Sequence, residues 1–251
     1  MRPIATVRIS SDDTRARKRY PGRMASYSRI FEDRAAAGVA LARELQTRAL
    51  SQPVLVLGLP RGGVAVAFEV ARILHAPLDV MLVRKIGMPG QPELAIGAIA
   101  SGGIVVHERH MEEAFPDSDP TFKRLVEAQR MELERRERVY RAGLPPLDLE
   151  QATVILVDDG LATGSTMLAA IRATRSAHAE TIVAAAPMAS RDAAKLVRAE
   201  ADAVVILETP PTFLAIGEWY RHFEQLDDTE VCQLLALSRL AAAGSAERVV
   251  A

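Results

Sequence analysis

Four branched apolar residues in succession, Val154-Ile155-Leu156-Val157, run directly into Asp158-Asp159 and then into Gly160-Leu161-Ala162-Thr163-Gly164-Ser165-Thr166. An unbroken apolar run of this kind reads as a strand covered on both faces, as in a parallel sheet. A helical pattern from Met167 to Ser176 follows the loop. Adjacent acids at a strand's carboxyl end can hold sugar hydroxyls or a hydrated metal ion. Backbone N–H groups of a short loop beside a helix N-terminus can wrap a phosphate. A sugar phosphate is one ligand that needs both at once. The nucleotide triphosphatase loop is excluded: it needs four residues between its glycines and a following lysine. Here three residues separate Gly160 from Gly164, and no lysine precedes Ser165.

The surrounding chain alternates strand and helix patterns. We expect a helix over 31–50 and a strand over 53–58, then a helix over 62–75 and a strand over 77–83. Ala95–Ala100 and Ile104–His107 flank the turn Ser101-Gly102-Gly103 as a hairpin. Thr121–Arg141 is a highly charged helix with opposite charges four apart at Arg130–Glu134, Glu132–Arg136 and Glu134–Arg138, the pattern of a solvated helix. Strands over 181–186 and 203–207 enclose a helix over 191–200, and Thr229–Ala243 is the last helix. This order describes an α/β fold, a doubly wound, mostly parallel sheet with an inserted hairpin or flexible loop and a small hood from the chain ends. Ligands of such sheets bind beyond the carboxyl ends of the strands.

Two further strand ends carry anion-binding chemistry. Gly58-Leu59-Pro60-Arg61-Gly62-Gly63 opens directly into a helix and combines close backbone approach, a guanidinium fork and a favourable helix dipole. Val83-Arg84-Lys85-Ile86-Gly87 offers two cations. The next stretch, Gly87 to Ile104, holds Pro89, Gly90 and Pro92 and reads as a mobile cover, with Glu93 and His107 as polar groups in or beside it.

Composition bounds the rest. The chain has 251 residues, 49% apolar, enough for a sizeable core. A net charge of −1 provides no general attraction to nucleic acid or anionic membranes. Cys232 is the only cysteine, so no internal disulfide can form, which suits a reducing cytoplasm. No apolar run approaches the ~20 residues of a membrane span, and Met1 to Ser10 contains no apolar signal-peptide core. Residues 1–30 carry eight Lys or Arg against two Asp. We read 1–27 as a basic N-terminal arm, solvated rather than bound to nucleic acid, and 28–251 as one domain whose hood and last helix begin near 208.

Strand, acid pair and Thr-Gly-x-Thr-type loop together resemble the phosphoribosyl-pyrophosphate (PRPP) motif of the type I phosphoribosyltransferases. The resemblance extends over roughly residues 31–230 and looks closest to stand-alone bacterial proteins of that family. It implies a Mg²⁺-dependent pentosyltransferase of nucleotide metabolism, such as purine salvage, that moves the 5-phosphoribosyl group of PRPP to a nucleobase and releases pyrophosphate. It further implies Asp158 and Asp159 as catalytic acids holding the ribose hydroxyls and, through water, Mg²⁺. The 5-phosphate would rest on Ala162, Thr163, Gly164, Ser165 and Thr166. Pyrophosphate would rest on Pro60, Arg61, Gly62, Arg84 and Lys85, with Arg84 and Lys85 also catalytic, and the Pro60–Arg61 bond is the position where the family often has a cis peptide. Hypoxanthine and guanine enzymes place an aspartate in this loop, where this chain has Ala162. A homodimer is the expected assembly.

Phe213, Trp219, Tyr220 and Phe223 cluster in a chain poor in aromatics. By the resemblance, Phe213 and then Tyr220 would stack on the base; equally, Trp219, Tyr220 and Phe223 pack a C-terminal helix on the sheet or form a dimer contact. A PRPP- or nucleotide-sensing regulator would retain the same loop without turnover. A signalling receiver would explain Asp158-Asp159 but needs a later strand-end aspartate, where the chain has Glu208, and leaves the Thr-Gly-Ser-Thr loop without a use.

Overall fold

A computed structural model describes residues 30–108, 111–141 and 143–249. The basic arm assigned to 1–27 lies outside the described residues. Five parallel strands, β1 (Val54–Gly58), β2 (Leu78–Val80), β6 (Thr153–Val157), β7 (Thr181–Met188) and β8 (Ala203–Glu208), form one sheet in the order β2-β1-β6-β7-β8. Three antiparallel strands, β3 (Val83–Met88), β4 (Gln91–Ala100) and β5 (Ile104–His107), form a second. Helices α1 (Arg34–Leu45), α2 (Gly62–Leu74), α3 (Pro120–Arg141), α4 (Ser165–Ser176), α5 (Arg191–Arg198) and α6 (Asp228–Val249) complete the chain. The expected α/β architecture is therefore present.

The central strand explains the opening sequence pattern. Every residue of β6 is buried. Ile155 and Val157 pack with Leu41, Val64 and Val70 of α1 and α2, whereas Val154 and Leu156 pack with Met167, Ala170 and Ile171 of α4. Successive side chains of a strand point to opposite faces, so two helical layers require an apolar residue at every position. Each such side chain contributes about 1.5–3 kcal/mol on burial.

Three expectations need correction or refinement. The strand over 77–83 is split: β2 ends at Val80, the Met81 N–H closes on the Gly58 carbonyl at 3.1 Å, and the chain leaves the parallel sheet before β3 begins. Met81 and Leu82 are apolar because that junction is buried, at 1% and 3% exposure, and not because they extend the strand. Of the two forms expected for the stretch 87–104, hairpin or flexible loop, it takes the hairpin, with a bulged register between β3 and β4. Met88 pairs with Gln91 around Pro89-Gly90, Gly90 has a φ of 79°, and the register shifts near Gly87 absorb Pro92 outside the pairing with β5. Finally, α3 is not merely solvated. Phe122, Val126, Leu133 and Tyr140 form a buried stripe among its charges, and only part of the expected pairing appears, with Glu132 holding both Arg135 and Arg136.

Candidate active site

Winding reverses at β1, which has β2 on one side and β6 on the other. Loops leaving the carboxyl ends of β1 and β6 therefore diverge and open a crevice, the usual ligand site of a doubly wound sheet. The Gly58–Gly63 turn borders it from β1, and Asp158, Asp159 and the loop to α4 border it from β6. The two walls are tied at their base, where the Leu59 N–H donates to the Val157 carbonyl at 2.8 Å.

Close approach explains Gly62. A Cβ there would overlap the Asp159 carboxylate and come within 3.0 Å of the Arg34 Nε. Only hydrogen fits between the α2 N-terminus and the acid. Arg61 occupies the N-cap of α2 and makes no side-chain cap, so its guanidinium and the first-turn amides are not committed to each other. The Pro60–Arg61 peptide is cis.

The acids form a buried, interacting pair. Asp159 is 8% exposed and Asp158 is half-buried. The Asp158 Oδ1 accepts the Asp159 N–H at 2.9 Å. Burial, and then the neighbouring Asp159 charge, push the Asp158 carboxyl well above the usual range. Burial also raises Asp159, against the opposing pull of Arg34, whose Nε donates to the Asp159 Oδ2 at 2.8 Å. Two like charges held together in low dielectric attract a cation. Two hard carboxylate oxygens suit Mg²⁺, and no group of three or more metal-ligating side chains occurs among the described residues. That composition fits an ion completed by water and ligand oxygens rather than a protein cage.

The loop after the acids forms an open cradle. Gly164 caps α4 with a φ of 75° and no side-chain cap bond, leaving helix N–H groups for an anion. Ala162, Thr163 and Thr166 are exposed and Ser165 half-exposed. The Thr163 and Ser165 hydroxyls lie 2.9 Å apart. The loop is pinned from behind: Ser190 Oγ donates to the Ala162 carbonyl at 2.7 Å, and a Cβ on Gly164 would approach the Cβ of Ala193 to 3.1 Å.

The remaining expected residues do not all converge here. Arg84 and Lys85 are not beyond a strand of the parallel sheet; both lie within β3. Arg84 donates to the Gln129 Oε1 on α3 at 2.9 and 3.1 Å. Lys85 lines a small cleft of about 40 Å³ with Ser165, Leu168 and Arg172, beside the first turn of α4. It therefore neighbours the cradle rather than the β1 turn. Tyr220 is no stacking platform: it is 6% exposed, stacks on Phe223 at 4.9 Å and donates its hydroxyl to the Asp159 carbonyl at 2.6 Å. Phe213 is half-exposed and stacks on Trp219 at 6.4 Å. His107 stacks on Phe122 and bonds Asp117 at 2.8 Å. Sequence reasoning missed Arg34. It follows the α1 cap Asp33 and meets Asp159 across 125 positions, so no local spacing marks it.

Comparison with known proteins points to one family. A family model described as "Phosphoribosyl transferase domain" matches residues 26–218. Two proteins of Mycobacterium tuberculosis, "Putative phosphoribosyl transferase MT0597" from strain CDC 1551 / Oshkosh and "Putative phosphoribosyl transferase Rv0571c" from strain H37Rv, are each 43% identical over 213 residues. The alignment covers 82% of this chain and 46% of either relative, so the chain spans about half the length of those proteins. The crystal structure of TT1426 from Thermus thermophilus is 41% identical, has a TM-score of 0.75, and is matched over 97% of its length and 82% of this chain. On the family match and on that similarity, this chain belongs to the phosphoribosyl transferase domain family.

Proposed function

We propose that the chain transfers the 5-phosphoribosyl group of PRPP to a nitrogen nucleophile, a nucleobase and within that class a purine, with release of pyrophosphate. One observation supports this most directly: an acid pair, a glycine turn carrying Arg61 and an uncapped helix N-terminus border one crevice. In this reading the amides of Ala162–Thr166 and the hydroxyls of Thr163, Ser165 and Thr166 take the 5-phosphate, with Lys85 adding charge nearby. Asp158 and Asp159 hold the ribose hydroxyls. Arg61 and the backbone of Gly62 take the pyrophosphate.

As the bond from C1 to pyrophosphate lengthens, negative charge collects on the leaving group and positive charge on the sugar. Arg61 and the α2 dipole are preorganised for the first and the two carboxylates for the second, with little reorganisation needed during the reaction. Asp158 and Asp159 would hold Mg²⁺ through water, and that ion would supply further charge neutralisation at the pyrophosphate. The hairpin β3–β4 and the segment around Phe213 would exclude water, which competes with the nucleophile. Phe213 would stack on the base.

The test is calorimetry of PRPP with Mg²⁺, followed by pyrophosphate release with a panel of nucleobases. PRPP binding with base-dependent release supports the transferase. Binding without release for any base would make the protein a PRPP sensor, and absence of binding would refute the assignment.

A further inference from the structure

Arg34 opens α1 and reaches the acid pair from the far end of the domain sequence. Its guanidinium is committed on three sides. Nε donates to the Asp159 Oδ2 at 2.8 Å, Nη1 donates to the Glu224 carbonyl at 2.8 Å, and Cζ lies 3.9 Å from the centroid of the Phe223 ring. The paired side chains of Arg34 and Asp159 are only 12% and 11% exposed. A guanidinium spent in this way has little reach toward a ligand. Its effect falls on the carboxylate: with Oδ2 tied, the plane of Asp159 is fixed and Oδ1 is the oxygen left for a ligand. Gly62 leaves room for this pair, because a Cβ there would overlap the Asp159 carboxylate and lie 3.0 Å from the Arg34 Nε.

We propose that Arg34 is a positioning residue of the sugar-binding acid pair, acting through Asp159 and locking that carboxylate to the C-terminal segment at Phe223 and Glu224. The inference rests on the phosphoribosyl-binding reading above. Arginine is the side chain this position requires. Its planar fork serves a carboxylate, a carbonyl and a ring face together, whereas a lysine ammonium keeps the charge without the fork. The arrangement also explains why a cation stands beside acids that must grip neutral hydroxyls: it orients one oxygen and leaves the other.

Two titrations of the full chain separate positioning from direct contact. Ribose 5-phosphate with Mg²⁺ probes the hydroxyl grip, and inorganic pyrophosphate with Mg²⁺ probes the leaving-group side. Arg34→Gln is expected to weaken ribose 5-phosphate by roughly tenfold or more while pyrophosphate stays within about twofold. Arg34→Lys should recover part of the lost affinity. Wild-type affinity for ribose 5-phosphate in Arg34→Gln, or an equal loss for pyrophosphate, would overturn the proposal. If circular dichroism shows Arg34→Gln unfolded, Arg34→Lys carries the same comparison, with a smaller selective loss expected and a uniform or absent loss refuting it. A wild-type protein that binds neither probe would instead remove the underlying phosphoribosyl reading.

Discussion

The Tyr220 hydroxyl donates to the Asp159 main-chain carbonyl at 2.6 Å, bridging 61 positions of sequence. Parallel pairing of Phe31 with Tyr220 and the bond from the Arg221 N–H to the Phe31 carbonyl at 2.9 Å stitch the same segment to the entry of α1. The segment around Tyr220 is thus fastened to the backbone of an acid in the crevice and to the entry of α1. Burial drives the phenol well above its ordinary value.

Tyr220→Phe should therefore cost stability at a site with no solvent to replace the donor. Leaving the carbonyl without that bond costs about 1–3 kcal/mol. Urea denaturation should show the loss, and PRPP affinity should fall as Asp159 loosens. Phe213→Ala is the contrasting variant: half-exposed and away from Asp159, it should weaken base binding and leave PRPP affinity near wild type. Equal effects of both substitutions on PRPP affinity would remove the distinction between the two rings.

What was legible in the sequence was whatever one short segment carries alone. β6, Asp158-Asp159, the cradle to Thr166 and the turn Gly58–Gly63 each lie within one strand-to-helix connection, so their order along the chain is their order in space. Arg34 and Tyr220 meet Asp159 only through tertiary packing, and no periodicity records that. Met81 and Leu82 misled because buried junctions and buried strands ask for the same apolar side chains. The stripe Phe122, Val126, Leu133 and Tyr140 on α3 was obscured by the density of charge between its members.

Gly62→Ala tests the close approach at the acid pair. A methyl group at this position overlaps the Asp159 carboxylate, so Asp159 must move and its bond to Arg34 must lengthen. PRPP affinity is expected to fall by roughly tenfold or more, about 1.4 kcal/mol, with the fold retained. Calorimetry giving wild-type affinity in a folded Gly62→Ala protein would show that the carboxylate position is unimportant.

Lys85 and Arg61 lie in different parts of the site and should separate in binding. Lys85 shares its cleft with Ser165, whereas Arg61 caps α2 at the glycine turn. Lys85→Ala should weaken ribose 5-phosphate more than pyrophosphate, and Arg61→Ala the reverse, each by several-fold to roughly tenfold for one lost charged contact. Identical ligand profiles for the two variants would contradict the separate placement of the two phosphate groups.

Asp158→Asn should trade function for stability in a pH-dependent way. Burial and the adjacent Asp159 hold the Asp158 carboxyl above its ordinary value, and burial raises Asp159 as well. The folded chain consequently binds these protons more tightly than the unfolded chain. The stabilising contribution is complete below the unfolded value near 3.9 and is lost as pH rises through the raised folded values. Asparagine removes one titrating charge while its side-chain carbonyl can still accept the Asp159 N–H. The variant should melt above wild type at about pH 8, and the gap should shrink as the pH falls to below about 4, where the wild-type carboxyl becomes protonated in both states. PRPP binding should be weakened by the same substitution. Thermal melts showing a gap that is constant across that range, or a variant less stable at about pH 8, would show that the paired acids carry no charge strain.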